Sequence, residues 1–501
     1  MLAAALAVLA LVPADPPPRT VDDVQAAGDV VVYSNPTRTD ATAGGKPVAI
    51  AGLAPALATS PDGTAVIAAL GRRGLFARIR RAGTGFARPR TLGDAELYDI
   101  AVAPGGWTAA AWITPDLRRI AAAVVDPHGR VDRRVLERSG VRDYFSRPQI
   151  GVDARGRVTV AWTRWRETRD YEGTRQHVRV ARFDRRWRGA VTVGTGADPI
   201  FGLPEWPLVG LAVTPGGRSL LAWATRRGIR VSENGARART LAKLHTPGSP
   251  TVALNEDGAA VVAFSQATEE GDDPILAIDR GDKRWSTPHR ITGGGVPEHT
   301  SDGDDGAQDV ALSSALAADG RAVVTWMTDG AAAATGVAGG AWAPARRVTI
   351  PTRSVATPPR ATLDAAGNPW VTWVEGALYD ERGLPAGALL LPEAQAPPTD
   401  TVAPALTATI PRTMRIGALR VPVTCSEPCD VRVQLTAHPE FGFPDAEAVR
   451  AVTSSARVTV RPLKFVRESW RERPPDSIQV DVLASDRAGN VARVTATVLL
   501  R

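Results

Sequence analysis

"IGVDARGRVTVAWT", residues 150–163, reads as two short strands around a tight turn. Gly156 suits the positive φ that such a turn needs. Beyond it, Val158, Val160 and Trp162 fall on one face, with Thr159 and Ala161 on the other. That alternation is the period of a strand packed on both sides. The pattern returns six more times, as "LATSPDGTAVIAAL" (57–70), "IAVAPGGWTAAAWI" (100–113), "LAVTPGGRSLLAWA" (211–224), "VALNEDGAAVVAFS" (252–265), "ALAADGRAVVTWMT" (315–328) and "ATLDAAGNPWVTWV" (361–374). The turn glycines are Gly63, Gly106, Gly156, Gly217, Gly258, Gly320 and Gly367. Six residues after them stand Trp112, Trp162, Trp223, Phe264, Trp326 and Trp373; only the first unit departs, with Ala69. A small residue beside a large one at a fixed place is what close packing between neighbouring sheets asks for.

A second hairpin follows each first one. "FARIRRAGTGFARPRTL", "VRVARFDRRWRGAVTV", "AIDRGDKRWSTPHRI" and "ATGVAGGAWAPARRV" share a strand, a turn, an aromatic and another strand. Their aromatics are Phe86, Trp187, Trp285 and Trp342. Four antiparallel strands returning every 41 to 62 residues predict a β-propeller. Seven units predict seven blades over residues 28–392. The stretch 29–52, ahead of the first full unit, is expected to close or cap the ring, which leaves six or eight blades open.

The turns inside the first hairpins are uniform, and the insertions fall elsewhere. Between units they are 140–149, 196–210 and 293–309; between the two hairpins of a unit they are 164–177 and 266–274. In a four-stranded blade both kinds of connection leave by the same end. Tyr144, Phe145, Trp165, Tyr171, Phe201, Glu205 and Trp206 lie on these loops. Aromatics exposed beside charges suit contact with a glycan or a protein. Tyr144, Phe145, Trp165, Tyr171, Glu205 and Trp206 are therefore the candidate binding residues. Loops also vary in length without function.

Residues 393–403 form a Pro-rich linker. Beyond it, 404–501 carries short strand-like runs such as "ALRVPVTC", "DVRVQLTA" and "IQVDVLASD". Their size and spacing predict an immunoglobulin-like sandwich. Cys425 and Cys429 are the only cysteines and flank Ser-Glu-Pro. Placed across a tight hairpin, they lie within disulfide reach. A metal site is the rival reading, but it needs about four ligands, and the nearest His, His438, lies beyond the next strand.

At the other end, "MLAAALAVLALVPADPPP" opens with an apolar run too short to span a bilayer. Val12-Pro13-Ala14 suits signal-peptidase cleavage, so 1–14 reads as a signal peptide and 15–27 as a linker. No Lys or Arg precedes the run. Later segments hold no membrane span, and a secreted monomer is expected. Of the 60 basic residues four are Lys, leaving 56 Arg. With abundant Ala, Gly and Pro, this looks like the coding bias of a GC-rich actinobacterial genome. The net charge of +7 comes from arginines scattered along the chain, so no nucleic-acid partner is expected.

The repeats resemble the WD40-like and sialidase-like propellers of secreted actinobacterial proteins. "DTVAP" (400–404) and "ASDRAGN" (484–490) resemble the bacterial Ig-like domains appended to such proteins. The resemblance covers most of the chain and implies fold rather than activity. Sialidases carry a Ser-x-Asp-x-Gly-x-Thr-Trp box; in "SPDGTAVIA" (60–68) the glycine comes one place early and no Trp closes it. The six His residues show no metal spacing, and no nucleophile elbow occurs. "SDGDDGAQD" (301–309) offers Asp302, Asp304, Asp305 and Asp309 as a candidate Ca²⁺ loop, though Gly306 breaks the register. A solvated acidic loop is its ordinary reading. The expectation is a non-catalytic binding or adhesion protein for a glycan or cell-surface protein. The alternative is a sialidase-like or other glycan-active enzyme with its site at the propeller mouth.

Overall fold

The structure is a computed structural model. It describes residues 23–500 apart from 28–29, 36–37, 44–45, 51, 73, 141–142, 167–175, 197–207, 246, 267–271, 283, 293–298, 301–310, 328–330, 348–354, 364–367, 376–386, 391–401, 438–445, 463 and 486–490. Eight antiparallel sheets follow one another, over 23–50, 53–93, 97–138, 143–195, 209–242, 251–290, 313–347 and 355–390. We number them first to eighth. In each, the strands run in chain order from the inside outward. The innermost strand of every sheet packs against that of the next. Asp23–Ala27 of the first sheet packs on Val355–Leu363 and Pro369–Glu375 of the eighth and closes the ring. This is a β-propeller.

The seven register units account for the second to eighth sheets. The stretch 29–52, expected to close or cap the ring with six or eight blades left open, falls largely in a four-stranded sheet over 23–50, and that sheet closes the ring. The ring starts at Asp23, inside the stretch read as linker. The hairpin of this first sheet carries neither the glycine nor the tryptophan mark of the repeat. "DVQAA" and "VVVYSN" pair in register without them.

The fixed tryptophan has a physical reason. Trp112, Trp162, Trp223, Phe264 and Trp326 are all buried. Each joins a core cluster with residues of the preceding sheet. The preceding outer strand gives way to it: a methyl at Gly93 would lie 2.6 Å from Trp112, and one at Gly194 would lie 2.5 Å from Trp223. Two of the indoles also find acceptors there, Trp162 Nε1 on Glu137 Oε2 at 3.0 Å and Trp223 Nε1 on the Thr195 carbonyl at 3.1 Å. Ala69 breaks the pattern because its cross-strand partner Phe76 fills the space against the first sheet. The six described turn glycines of the repeat have φ between 76° and 96°.

Residues 406–500 form a three-stranded and a five-stranded sheet around one core. One helix, Lys464–Glu472, was not expected from sequence. Its Val466 and Trp470, four residues apart, put one face into that core. Cys425 and Cys429 form the expected disulfide. They do not close a hairpin, however. Leu419–Cys425 belongs to the three-stranded sheet and Cys429–Thr436 to the five-stranded one, so the bond pins a corner between sheets. No helix among the described residues is long and apolar enough to cross a membrane.

Candidate functional site

The two ends of the ring are built differently. At the turn end, first-hairpin turns of neighbouring sheets are tied together. Gly105 N donates to Asp62 Oδ2 at 2.9 Å, Ala154 N to the Pro215 carbonyl at 2.9 Å, and Gly216 N to Glu256 Oε1 at 2.5 Å. Asn255, buried, donates to the carbonyls of Ala317 and Ala318 at 3.2 Å each. The hydrogen bonds to Ser60, Gly105 and Thr64 hold the Asp62 carboxyl below its usual range, against the opposing effect of burial. Backbone groups that would otherwise face water are thus used to close the ring.

The channel wall uses the same device. An innermost strand has no sheet partner on its inner side, so its N–H groups need acceptors. Gln25 Oε1 accepts from Leu57 N at 2.9 Å, Asp99 Oδ2 from Ile150 N at 2.9 Å, and Ser313 Oγ from Ala361 N at 3.0 Å. Each bond joins one sheet to the next. Asp99 stands near the Arg147 and Arg360 guanidinium groups. Burial pushes its carboxyl up, and this outweighs Arg147, the Ile150 N–H and Arg360, which pull it down. Asp99 and Arg360 occupy the same repeat position, seven residues before Gly106 and Gly367.

At the loop end the connections pair with each other instead. Asp143–Phe145, from the connection into the fourth sheet, pairs with Arg164–Arg166 at the end of that sheet's second strand. Asp272–Asp273 and His299–Thr300, from two other connections, pair likewise. These pairings bring both kinds of insertion to one end, as their position in the repeat implies.

The best-built cluster lies there, where the third sheet meets the fourth. Arg164 bridges two carboxylates, with Nη1 on Glu137 Oε1 at 3.0 Å and Nη2 on Asp143 Oδ2 at 2.6 Å. Arg179 Nε donates to Glu137 Oε2 at 3.0 Å and its Nη1 to Thr192 Oγ1 at 2.6 Å. Glu137 also receives the Trp162 indole. The side chains of Glu137 and Asp143 are nearly covered, while 31% of Arg164 faces solvent. Burial works against the charge of Arg164, but bonds to Asp143 and Glu137 outweigh it and strengthen its hold on the proton. On the opposite face of the same paired strands Tyr144 stacks on Trp165, its cross-strand partner, at 6.0 Å and 21°. Tyr144 is 38% exposed and Trp165 only 7%. The paired strands thus carry the aromatic pair on one face and the acid-held guanidinium of Arg164 on the other.

Of the residues singled out from sequence, Tyr144 is the exposed one. Phe145 and Trp165 are corrected: both are buried, Phe145 in the core between the third and fourth sheets and Trp165 beneath Tyr144. They sit on paired strands rather than on loops, and burial gives them a supporting role. Tyr171, Phe201, Glu205, Trp206, Asp302, Asp304, Asp305 and Asp309 lie outside the described residues. Among the described residues, no three His, Cys, Asp or Glu side chains are grouped to hold a metal ion. Sequence reading missed Glu137, Asp143, Arg164 and Arg179. The signal for Arg164 was "TRWR" (163–166), which carries the strand past the repeat's usual end. Glu137 belongs to the preceding unit and gave no local signal.

No family model matches this chain, and a search of curated proteins finds no match. Similar solved structures include a fungal lectin of Aleuria aurantia described as a six-bladed β-propeller with a novel fucose recognition mode. It shares 13% identity over 58% of this chain and 94% of that one, with a TM-score of 0.34. Puromycin hydrolase shares 16% identity over 73% of this chain and 60% of its own, at 0.35. A functionally unknown protein from Desulfotomaculum acetoxidans shares 12% over 65% and 95%, at 0.36. Likeness at this level carries no functional weight.

Proposed function

We propose that this protein is a secreted, non-catalytic binding protein that takes a glycan at the loop end of an eight-bladed propeller. Residues 1–14 act as its signal peptide and 404–501 as an appended Ig-like domain. The observation that carries the reading is the stacked Tyr144–Trp165 step at the loop end. A rigid exposed aromatic face suits the apolar face of a sugar ring. The neighbouring acids support binding over hydrolysis. Glycoside hydrolysis needs a carboxyl group free to give or take a proton. Glu137 is engaged by Arg164, Arg179 and Trp162, and Asp143 by Arg164 and the Gly140 N–H.

The test is retention on insoluble polysaccharides, mucin and bacterial cell wall, with released sugar measured in the same tubes. Retention without release is expected. Tyr144→Ala should lower it at least about tenfold, with a stability change below about 1 kcal/mol, as for a surface side chain. Released sugar would return the enzyme reading. Failure to bind any of these materials would sink the glycan assignment.

A further inference from the structure

The second hairpins carry a feature that the loop-end reading does not use. They leave the ring at the same end as the first-hairpin turns: Arg80 Nη2 reaches the Gly63 carbonyl at 3.3 Å, and Arg280 Nε reaches that of Gly258 at 2.9 Å. In four consecutive sheets these hairpins are rich in arginine. They read "RRAGTGFARPR" (80–90), "DPHGRVDRR" (126–134), "RFDRRWRG" (182–189) and "ENGARAR" (233–239). All of these arginines except Arg80 are exposed. The hairpins also touch. Arg133 donates to the Thr91 carbonyl of the preceding sheet. A methyl at Gly129 would lie 2.3 Å from the Arg90 guanidinium, and one at Gly235 would lie 2.0 Å from that of Arg182. Contacts thus join the second sheet's tip to the third's and the fourth's to the fifth's, and the four tips follow one another round the ring as a basic arc.

Acids neutralise only part of it. The same stretches hold Asp126, Asp132, Asp184 and Glu233. Asp126 Oδ1 is taken by the turn N–H groups of His128 and Arg130, and Glu233 by Arg239 and Arg280. Among the described residues, Arg81, Arg88, Arg130, Arg185, Arg186 and Arg188 make no ion pair. Unpaired like charges side by side cost folding stability. Arginine bias in the coding sequence does not explain the arc, because the matching hairpin of the seventh sheet, "VAGGAWAPA" (337–345), has no charge at all.

We propose that this arc is a second binding surface, for an anionic polysaccharide. Guanidinium groups pair with carboxylate and sulfate oxygens through two parallel N–H bonds. An extended polyanion laid across four tips would meet them in turn. Nucleic acid fits less well. Single strands are held by bases stacked on exposed aromatics, whereas Phe86 and Trp187 at these hairpins, and Trp285 on that of the next sheet, are only partly exposed. Arg80 lies over the Phe86 ring at 5.6 Å and Arg280 over Trp285 at 4.6 Å. The surface is separate from the loop end, so each proposal can fail alone.

The test is fluorescence anisotropy of the full chain with a labelled heparin octasaccharide. Neutral dextran, single-stranded DNA and a short DNA duplex serve as comparison probes. Heparin binding is expected to weaken about tenfold or more as sodium chloride rises from about 50 to 200 mM. Dextran should not bind. The triple variant Arg185→Ser/Arg186→Ser/Arg188→Ser should weaken heparin binding about tenfold and flatten its salt dependence. Arg81→Ser/Arg88→Ser, at the far end of the arc, should act in the same direction. Arg118→Ser/Arg138→Ser, exposed at the loop end, should change affinity by less than about twofold, since like charge removed there leaves the arc intact. Melting curves of all three variants check folding. Salt-independent or absent heparin binding overturns the proposal. So do arc variants that bind as the parent does. DNA binding markedly tighter than heparin, through the same arginines, transfers the surface to nucleic acid and overturns the polysaccharide assignment.

Discussion

The two ends of this ring solve the same problem in opposite ways. Every sheet must end its strands and pass the chain on. At the turn end it does so with short glycine turns whose backbone and side-chain groups bond to the next sheet. At the loop end it does so with insertions that pair among themselves, as Asp143–Phe145 does with Arg164–Arg166. The turn end is uniform because each turn is held by its neighbour, and a change of length would break two sheets at once. The loop end is free to vary because a connection there answers to few neighbours. Variation is also what a binding site needs. The loop-end cluster joins the two demands, since Glu137 anchors a seam between sheets and also holds Arg164, whose strand carries Trp165 beneath Tyr144.

That double role gives the largest expected effect. Glu137→Ala leaves Arg164, Arg179 and the Trp162 indole without their shared acceptor. Because both arginines keep some water, the cost should be about 2–3 kcal/mol by denaturant titration. Glycan retention should fall with it. A variant of near-parental stability would show that the seam holds without Glu137, and would separate the third sheet's role from the site. Asn255→Ala comes next. It strands two carbonyls at the turn end and should cost about 1–3 kcal/mol, with retention unchanged once folding is matched. Lost retention in a folded Asn255 variant would erase the distinction between the ends.

The smallest effect is a pH dependence of opposite sign in the two parts of the molecule. Asp99 in the channel wall has its carboxyl raised by burial. The native state therefore holds that proton better than the unfolded chain. Its contribution is present in acid and is lost as pH rises through the raised value. Asp481, among residues 406–500, is also buried, which raises it. Bonds from Thr495, Gln479 and Arg493 outweigh burial and hold it low. Its contribution is present at neutral pH and is lost as pH falls through the lowered value. Asp99→Asn should thus compare better with the parent at neutral pH than in mild acid, and Asp481→Asn worse. Stability differences that stay flat with pH would show that neither site is perturbed in the folded protein.

Much of the fold was legible because it repeats. A turn glycine marks each unit and an aromatic six residues later marks all but the first, and both marks have local causes. The first sheet escaped the count because its strands pair without either mark. The corner disulfide was legible as a bond but not as a corner, since spacing alone cannot tell a hairpin from a step between sheets. The helix Lys464–Glu472 hid in a stretch of alternating charge. At the site, Tyr144 and Trp165 could be picked out as aromatics on an insertion. Their division into one exposed and one buried ring depended on the pairing of Asp143–Phe145 with Arg164–Arg166.

By itself the sequence determined the strand period, the turn positions, the four-strand unit and the end from which insertions leave, because each follows from contacts within one unit. Only the tertiary structure decided that Glu137 meets Arg164 and Arg179 of the following sheet, that Asp99 faces Arg147 and Arg360, and that scattered arginines form an arc. Those residues lie in different units, and closing the ring is what brings them together.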